Sequence, residues 1–129
     1  MRILATDIDS DALAKARTGE YSAAQISTIP AKYMRFVENN RVNQLIRKSV
    51  RFMRHNALSY QPTTKFDLIL CRNLLIFLDS IQQKQFLISL HSALTNRGYV
   101  VLGKVESLFL PQQCGFHPVD LENRIYQKV

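Results

Sequence analysis

Glycine is scarce in this chain: Gly19, Gly98, Gly103 and Gly115 are the only four in 129 residues. No repeat, linker or low-complexity tract is visible. Cysteine is scarcer still. Cys71 and Cys114 cannot make a disulfide framework, and no cluster of Cys and His has zinc-ligand spacing. Long apolar runs are missing as well. The longest, Asp67-Leu68-Ile69-Leu70-Cys71 and Leu74 to Leu78, fall far short of the roughly 18 residues needed to span a bilayer. The opening Met1-Arg2-Ile3-Leu4-Ala5-Thr6-Asp7 meets acid too soon for a secretory signal. These features predict a soluble, reducing, cytoplasmic protein with no membrane insertion. Acid is also in short supply, with 10 Asp and Glu against 17 Lys and Arg.

The chain has enough of everything else for a core. It is 47% hydrophobic and 21% charged, which is ordinary for a globular domain. Its length suits one domain, or most of one. The net charge of +7 is unevenly spread. Lys32, Arg35, Arg41, Arg47, Lys48, Arg51 and Arg54 face Glu38 alone, so this stretch carries +6 of it. Such a concentration suits an acidic partner, either nucleic acid or an acidic protein surface. It is equally the pattern of a solvated, Arg-rich face with no partner.

Punctuation along the chain predicts alternating strands and helices. Arg2 to Thr6 reads as a short strand ending in acid. Asp9 or Ser10 can cap a helix over Asp11 to Arg17, with Gly19 as its stop. Ser22 opens a second short helix, ended by Pro30. Residues 34 to 49, around Asn39-Asn40, read as a small hairpin-like excursion. Val50 to Met53 and Phe66 to Leu70 read as strands. Ile81 to Leu94 is the clearest helix, with an apolar stripe of Phe86, Leu87, Leu90 and Leu94. Asp79 or Ser80 caps it, and Asn96-Arg97-Gly98 closes it. Tyr99 to Leu102 and Arg124 to Val129 are further strands, with Phe116 to Val119 as an antiparallel neighbour of the last. This alternation predicts an open α/β sheet, mostly parallel. Ligands of such sheets sit outside the carboxyl ends of the strands. Here those ends are Thr6-Asp7, His55-Asn56, Cys71-Arg72-Asn73 and Gly103-Lys104.

Asp7 is the first candidate. An acid ending the second strand of a nucleotide-binding sheet accepts hydrogen bonds from ribose hydroxyls. Taken alone, it reads more readily as a turn or N-cap aspartate, since Asp9 and Ser10 follow. Asn56 could meet an adenine edge through its amide, or serve as a turn residue or cap. Arg72 and Asn73 directly follow an apolar strand, as residues meeting a polar ligand do, though a surface loop would read the same way. Glu106 is a weaker candidate.

Together the residues resemble a known family. Its marks are Ala5-Thr6-Asp7-Ile8-Asp9 with Leu13, Ala16-Arg17 and Gly19-Glu20-Tyr21. Next comes Phe66-Asp67-Leu68-Ile69-Leu70-Cys71-Arg72-Asn73-Leu74-Leu75-Ile76-Phe77. Gly98-Tyr99, Leu102-Gly103, Glu106-Ser107 and Ile125-Tyr126 complete them. Over nearly its whole length the chain is similar to the CheR-type chemotaxis methyltransferases, which use S-adenosylmethionine to methylate glutamates of chemoreceptors. The resemblance implies a Rossmann-like methyltransferase fold with an antiparallel C-terminal strand. It implies that Asp7 holds the cofactor's ribose and that Asn56 and Ala57 line its adenine. It places Arg72, as the catalytic candidate, and Asn73 near the methionine half and the reacting centre. The chain departs from the family at Ala57, where Leu is usual, at Phe77, where Tyr is usual, and at Val105, where Ser is usual.

The chemistry asks little of the protein beyond placement. A glutamate side chain ordinarily titrates at about 4.3, so it is ionised at neutral pH and attacks the sulfonium methyl without a general base. Placement alone can contribute up to about 7–11 kcal/mol. The family's first strand and its Gly-containing loop, roughly GEEPYS, have no counterpart here. The expectation is therefore a partial methyltransferase domain of low activity alone, binding cofactor weakly. The usual strand order, 3-2-1-4-5-7-6, would then lack its central strand, between Arg2–Thr6 and Phe66–Leu70. Exposed strand edges predict a homo-oligomer. A noncatalytic methyltransferase-fold module that binds a receptor or regulatory partner is the alternative. Nucleic acid is not the expected partner, because the basic stretch lacks interleaved aromatic platforms.

Overall fold

Side-chain caps set most of the helix boundaries in the computed structural model, which describes residues 1–59, 63–108 and 111–129. Strand β1, Ile3–Asp7, is followed by Asp9, whose carboxylate accepts from the Asp11 N–H at 2.8 Å. That bond opens helix α1, Ser10–Thr18. Gly19 ends the helix in the left-handed region at φ +66, where glycine is unstrained. Space matters there too, because a Cβ on Gly19 would lie 2.9 Å from the Arg47 side chain. Helix α2, Ala23–Ser27, starts with a reciprocal capping box between Ser22 and Gln25.

The stretch from 34 to 49 holds two different structures. Strands β2, Val37–Glu38, and β3, Arg41–Val42, pair antiparallel around Asn39 and Asn40, which both have positive φ (50° and 59°). Asparagine tolerates that conformation better than most residues. Asn43 then caps a short helix, α3, Gln44–Ser49. Strand β4, Val50–Arg54, follows at once and pairs parallel with β1, from Ile3↔Val50 to Asp7↔Arg54.

Much of the basic stretch is engaged locally. Arg41 Nε donates to the Thr18 carbonyl at 2.6 Å, and Arg54 Nε donates to the Ile8 carbonyl at 3.1 Å. Lys32 lies over the Tyr33 ring and Arg35 over the Phe36 ring. Lys48 and Arg51 are exposed.

These elements form one compact unit, Met1–Ala57; Leu58–Val129 forms a second. In the second, strand β5, Phe66–Cys71, leads through a short 3-10 turn at Leu75–Phe77 to helix α4, Ser80–Ala93. Asp79 and Gln82 make its capping box. Strands β6, Leu94–Leu102, β7, Phe116–Asp120, and β8, Ile125–Lys128, complete a sheet ordered β5-β6-β8-β7. β5 and β6 run parallel, and β8 is antiparallel to both its neighbours. The two sheets thus have the orders expected for the two flanks of the methyltransferase arrangement.

One boundary differs from the sequence-based expectation. Asn96-Arg97-Gly98 does not close α4. The helix ends at Ala93 and β6 begins at Leu94. The three residues form an irregularity where Phe66↔Leu94 jumps to Leu68↔Tyr99, with Arg97 at φ 63. The helix-stop composition and the bulge composition are alike, since both need a left-handed residue.

The two faces of the four-stranded sheet are unequal. Ile69, Cys71, Val100, Leu102, Phe116 and Tyr126 share one face by register. Val100, Phe116 and Tyr126 are at most 1% exposed, and burial of such side chains stabilises by about 1.5–3 kcal/mol each. Helix α4 covers this face. Its His91 ring meets Phe116 edge-on at 5.5 Å, and Lys128 Nζ donates to the His91 and Leu94 carbonyls. Leu68, Leu70 and Tyr99 lie on the other face and are exposed.

Candidate functional site

Asp7 closes β1. Its Oδ1 accepts from the Asp9 N–H at 2.9 Å, and its own carbonyl accepts from the His55 N–H at 2.9 Å. The side chain is exposed, and its second oxygen accepts no hydrogen bond among the described residues. A carboxylate with a spare oxygen at the carboxyl end of a parallel strand suits a pair of hydroxyl donors. Asn56 lies two residues beyond the end of β4, exposed, and Ala57 is half-buried beside it. Asp7 and Asn56 are therefore at the same end of one ladder. His55 Nδ1 lies 3.3 Å from Thr6 Oγ1, and desolvation lowers the pKa of its imidazole.

Arg72 and Asn73 follow β5 directly, and both are exposed. Asn73 is held in the left-handed region at φ 59. Two residues that sequence reasoning had ranked low or passed over surround them. Glu106 is 3% exposed, and its carboxylate accepts three backbone hydrogen bonds. Oε2 takes the N–H groups of Asn73 (2.8 Å) and Gly103 (2.6 Å), and Oε1 takes that of Leu75 (2.7 Å). Gly103 leaves no room beyond this. A Cβ on it would lie 2.4 Å from Asn73 Oδ1 and 2.7 Å from Glu106 Oε2. Gln83 Nε2 donates to the Leu75 and Leu78 carbonyls and braces the following turn. Cys71 sits at the base of the loop. Burial first, and the nearby Glu106 charge second, push its thiol up to about 12.

Arg72, Asn73, Gly103 and Glu106 thus gather at the carboxyl ends of β5 and β6. A spare, exposed guanidinium and amide there suit the charged end of an amino-acid-like ligand. Two surface concavities lie away from these residues. One of about 290 Å³ is lined by Asn96, Arg97 and His117 among others, and one of about 610 Å³ runs along α1. Among the described residues, no group of three or more His, Cys, Asp or Glu could hold a metal ion. No helix among them is long and apolar enough to cross a membrane.

Comparison with known proteins gives consistent results. The family model described as "CheR methyltransferase, SAM binding domain" matches residues 1–125. A chemotaxis protein methyltransferase of Listeria monocytogenes is 33% identical over 131 residues, covering 98% of this chain and 49% of that protein. Chemotaxis protein methyltransferase 2 of Vibrio cholerae is 34% identical over 117 residues, covering 84% of this chain and 41% of that protein. The chain thus spans about half the length of these relatives or less. Among solved structures, the N-methyltransferase NodS of Bradyrhizobium japonicum, in complex with S-adenosylhomocysteine, superimposes with a TM-score of 0.55. It is 12% identical and covers 98% of this chain and 64% of that one. That likeness shows the fold, a Rossmann-like methyltransferase fold.

Proposed function

This chain belongs to the family of CheR methyltransferase S-adenosylmethionine-binding domains, and on that premise we propose that it serves methyl transfer from S-adenosylmethionine to glutamate carboxylates of chemoreceptors. The observation that carries the reading is the family match joined to Asp7, an exposed carboxylate with one unused oxygen at a parallel strand end. Asp7 binds the ribose hydroxyls, and Asn56 and Ala57 line the adenine. Arg72 and Asn73 orient the methionine half and the reacting centre. S-adenosylmethionine supplies an electrophilic methyl on a sulfonium. The substrate glutamate, already ionised at neutral pH, needs placement and a dry surrounding more than a base. No proton has to move in such a transfer.

Lys48 and Arg51, exposed within the basic stretch, are suited to steer an acidic receptor segment from the cytoplasmic side of a membrane. Phe77 stands, 77% exposed, where the family usually has Tyr. The missing hydroxyl supports low activity. It also supports a second reading, a binding module that holds the cofactor without turnover.

Titration calorimetry with S-adenosylhomocysteine tests the cofactor reading. Asp7→Ala is expected to weaken binding roughly tenfold or more, the scale of one charge-assisted hydrogen bond. Equal affinity in both proteins would remove Asp7 from the site. Incorporation of labelled methyl into a glutamate-containing receptor segment separates the two readings, since the binding module gives none.

Self-association is a further expectation. β5 is an edge strand of its sheet, and Leu68 and Leu70 on it are 53% and 67% exposed. Exposed apolar edge strands promote pairing between chains. Sedimentation at tens of micromolar should show a dimer or larger species, and Leu70→Lys should shift it toward monomer. A wild-type monomer at that concentration would exclude the interface.

A further inference from the structure

The site as proposed uses Arg72 and Asn73 but leaves the most buried charged side chain beside them without a role. Glu106 is 31 and 33 residues from two of its three donors. Its carboxylate ties the loop that follows β5 to the loop that follows β6. We propose that Glu106 is the positioning residue of this site, and that its clamp on the Asn73, Leu75 and Gly103 amides sets the pose in which Arg72 and Asn73 meet the ligand. The ligand half of this proposal rests on the reading of Asp7, Arg72 and Asn73 as a cofactor site. The clamp itself stands on geometry alone.

Three observations favour positioning over filling space. First, a carboxylate is the group best matched to three converging N–H donors, because it accepts on both oxygens and donates nothing. Second, Asn73 sits at φ 59, a left-handed conformation that asparagine adopts more readily than most residues. The Glu106 bond to its N–H holds it there, directly beside the exposed Arg72. Third, Gly103 allows the approach. Its missing Cβ is what lets Asn73 Oδ1 and Glu106 Oε2 come so near its backbone. Asn73, Leu75 and Gly103, from the two loops that follow β5 and β6, are thereby fixed around one carboxylate, on the ends of rigid strands. Preorganisation of this kind places binding groups within the tolerance that recognition needs.

Glu106→Gln preserves shape and removes the charge and one acceptor. Glu106→Asp keeps the charge and shortens the reach. In the full chain, nitrogen–proton correlation spectra should show the Asn73, Leu75 and Gly103 amides shifted downfield and slow to exchange. Both variants should release those three together, while Val100 and Tyr126 amides in the sheet keep their protection. Affinity for S-adenosylhomocysteine should fall roughly tenfold or more in either variant, at a temperature where it is fully folded. A merely structural role would lower the melting temperature and leave that affinity unchanged, and this result would overturn the proposal. Wild-type amides at ordinary shifts with fast exchange would overturn the clamp even if neither variant folds. If wild type binds no S-adenosylhomocysteine, the cofactor reading fails and the ligand half of the proposal with it. The amide data would still decide the clamp.

Discussion

Gly103→Ala is expected to destabilise the protein by about 2–4 kcal/mol, combining overpacking with loss of a charge-assisted hydrogen bond. Conformation is not the cause, because Gly103 is not among the positive-φ residues. Space is. The new Cβ would meet Asn73 Oδ1 at 2.4 Å, Glu106 Oε2 at 2.7 Å and Asn73 N at 3.0 Å. The last of these is backbone and cannot swing aside. The carboxylate must therefore withdraw from at least one of its three donors, and a buried N–H or a buried charge is left poorly paired. Thermal or urea unfolding measures the loss. The clamp adds a further expectation. Gly103→Ala and Glu106→Gln break the same arrangement, so the double variant should cost less than the two single costs together. Full additivity would mean that the glycine and the carboxylate act independently.

Legibility in the sequence followed the range of the interactions. Asp9, Ser22, Asp79 and Gly19 could be read as caps because their bonds are local: the three side chains accept from amides, and the Gly19 N–H donates to the Ala16 carbonyl, all within three residues. Asn39-Asn40 could be read as a turn for the same reason. Helix α3 was lost inside the hairpin because six residues show too little periodicity to separate from it. The start of β6 was misplaced because Asn96-Arg97-Gly98 fits a helix end and a strand irregularity equally. Among site candidates, Asp7, Arg72 and Asn73 were visible as polar residues at the ends of apolar strands. Glu106 ranked lowest, although it is the acid that organises the loop after β5. Its partners lie more than thirty residues away for Asn73 and Leu75, and nothing local announces them. The one signal available was an acid three residues beyond a glycine at a strand end, which is weak alone. The burial that raises the Cys71 thiol is likewise a tertiary property.

Cys71 supplies the second large expected effect: stability should decline as pH rises from about 9 toward about 12, and not below that window. The direction follows from where the proton is held. In the unfolded chain the thiol titrates near its ordinary value of 9.0, whereas in the folded protein burial and the Glu106 charge push it up to about 12. Between those values the unfolded chain releases a proton that the folded protein keeps. The unfolded state then binds fewer protons, so the free energy of unfolding falls with rising pH. Below pH 9 both states hold the proton and the contribution is fully present. The total loss is bounded at about 4 kcal/mol across the window. Tyrosines and lysines also titrate there, so the measurement is a difference. Urea unfolding of wild type and of Cys71→Ala between pH 8 and pH 12 isolates the thiol, and the two stability curves should converge as pH rises. Parallel curves would mean that the folded and unfolded thiols titrate alike. Glu106→Gln offers an internal check. It removes the lesser cause and leaves burial, so the decline should begin at the same pH and end at a lower one.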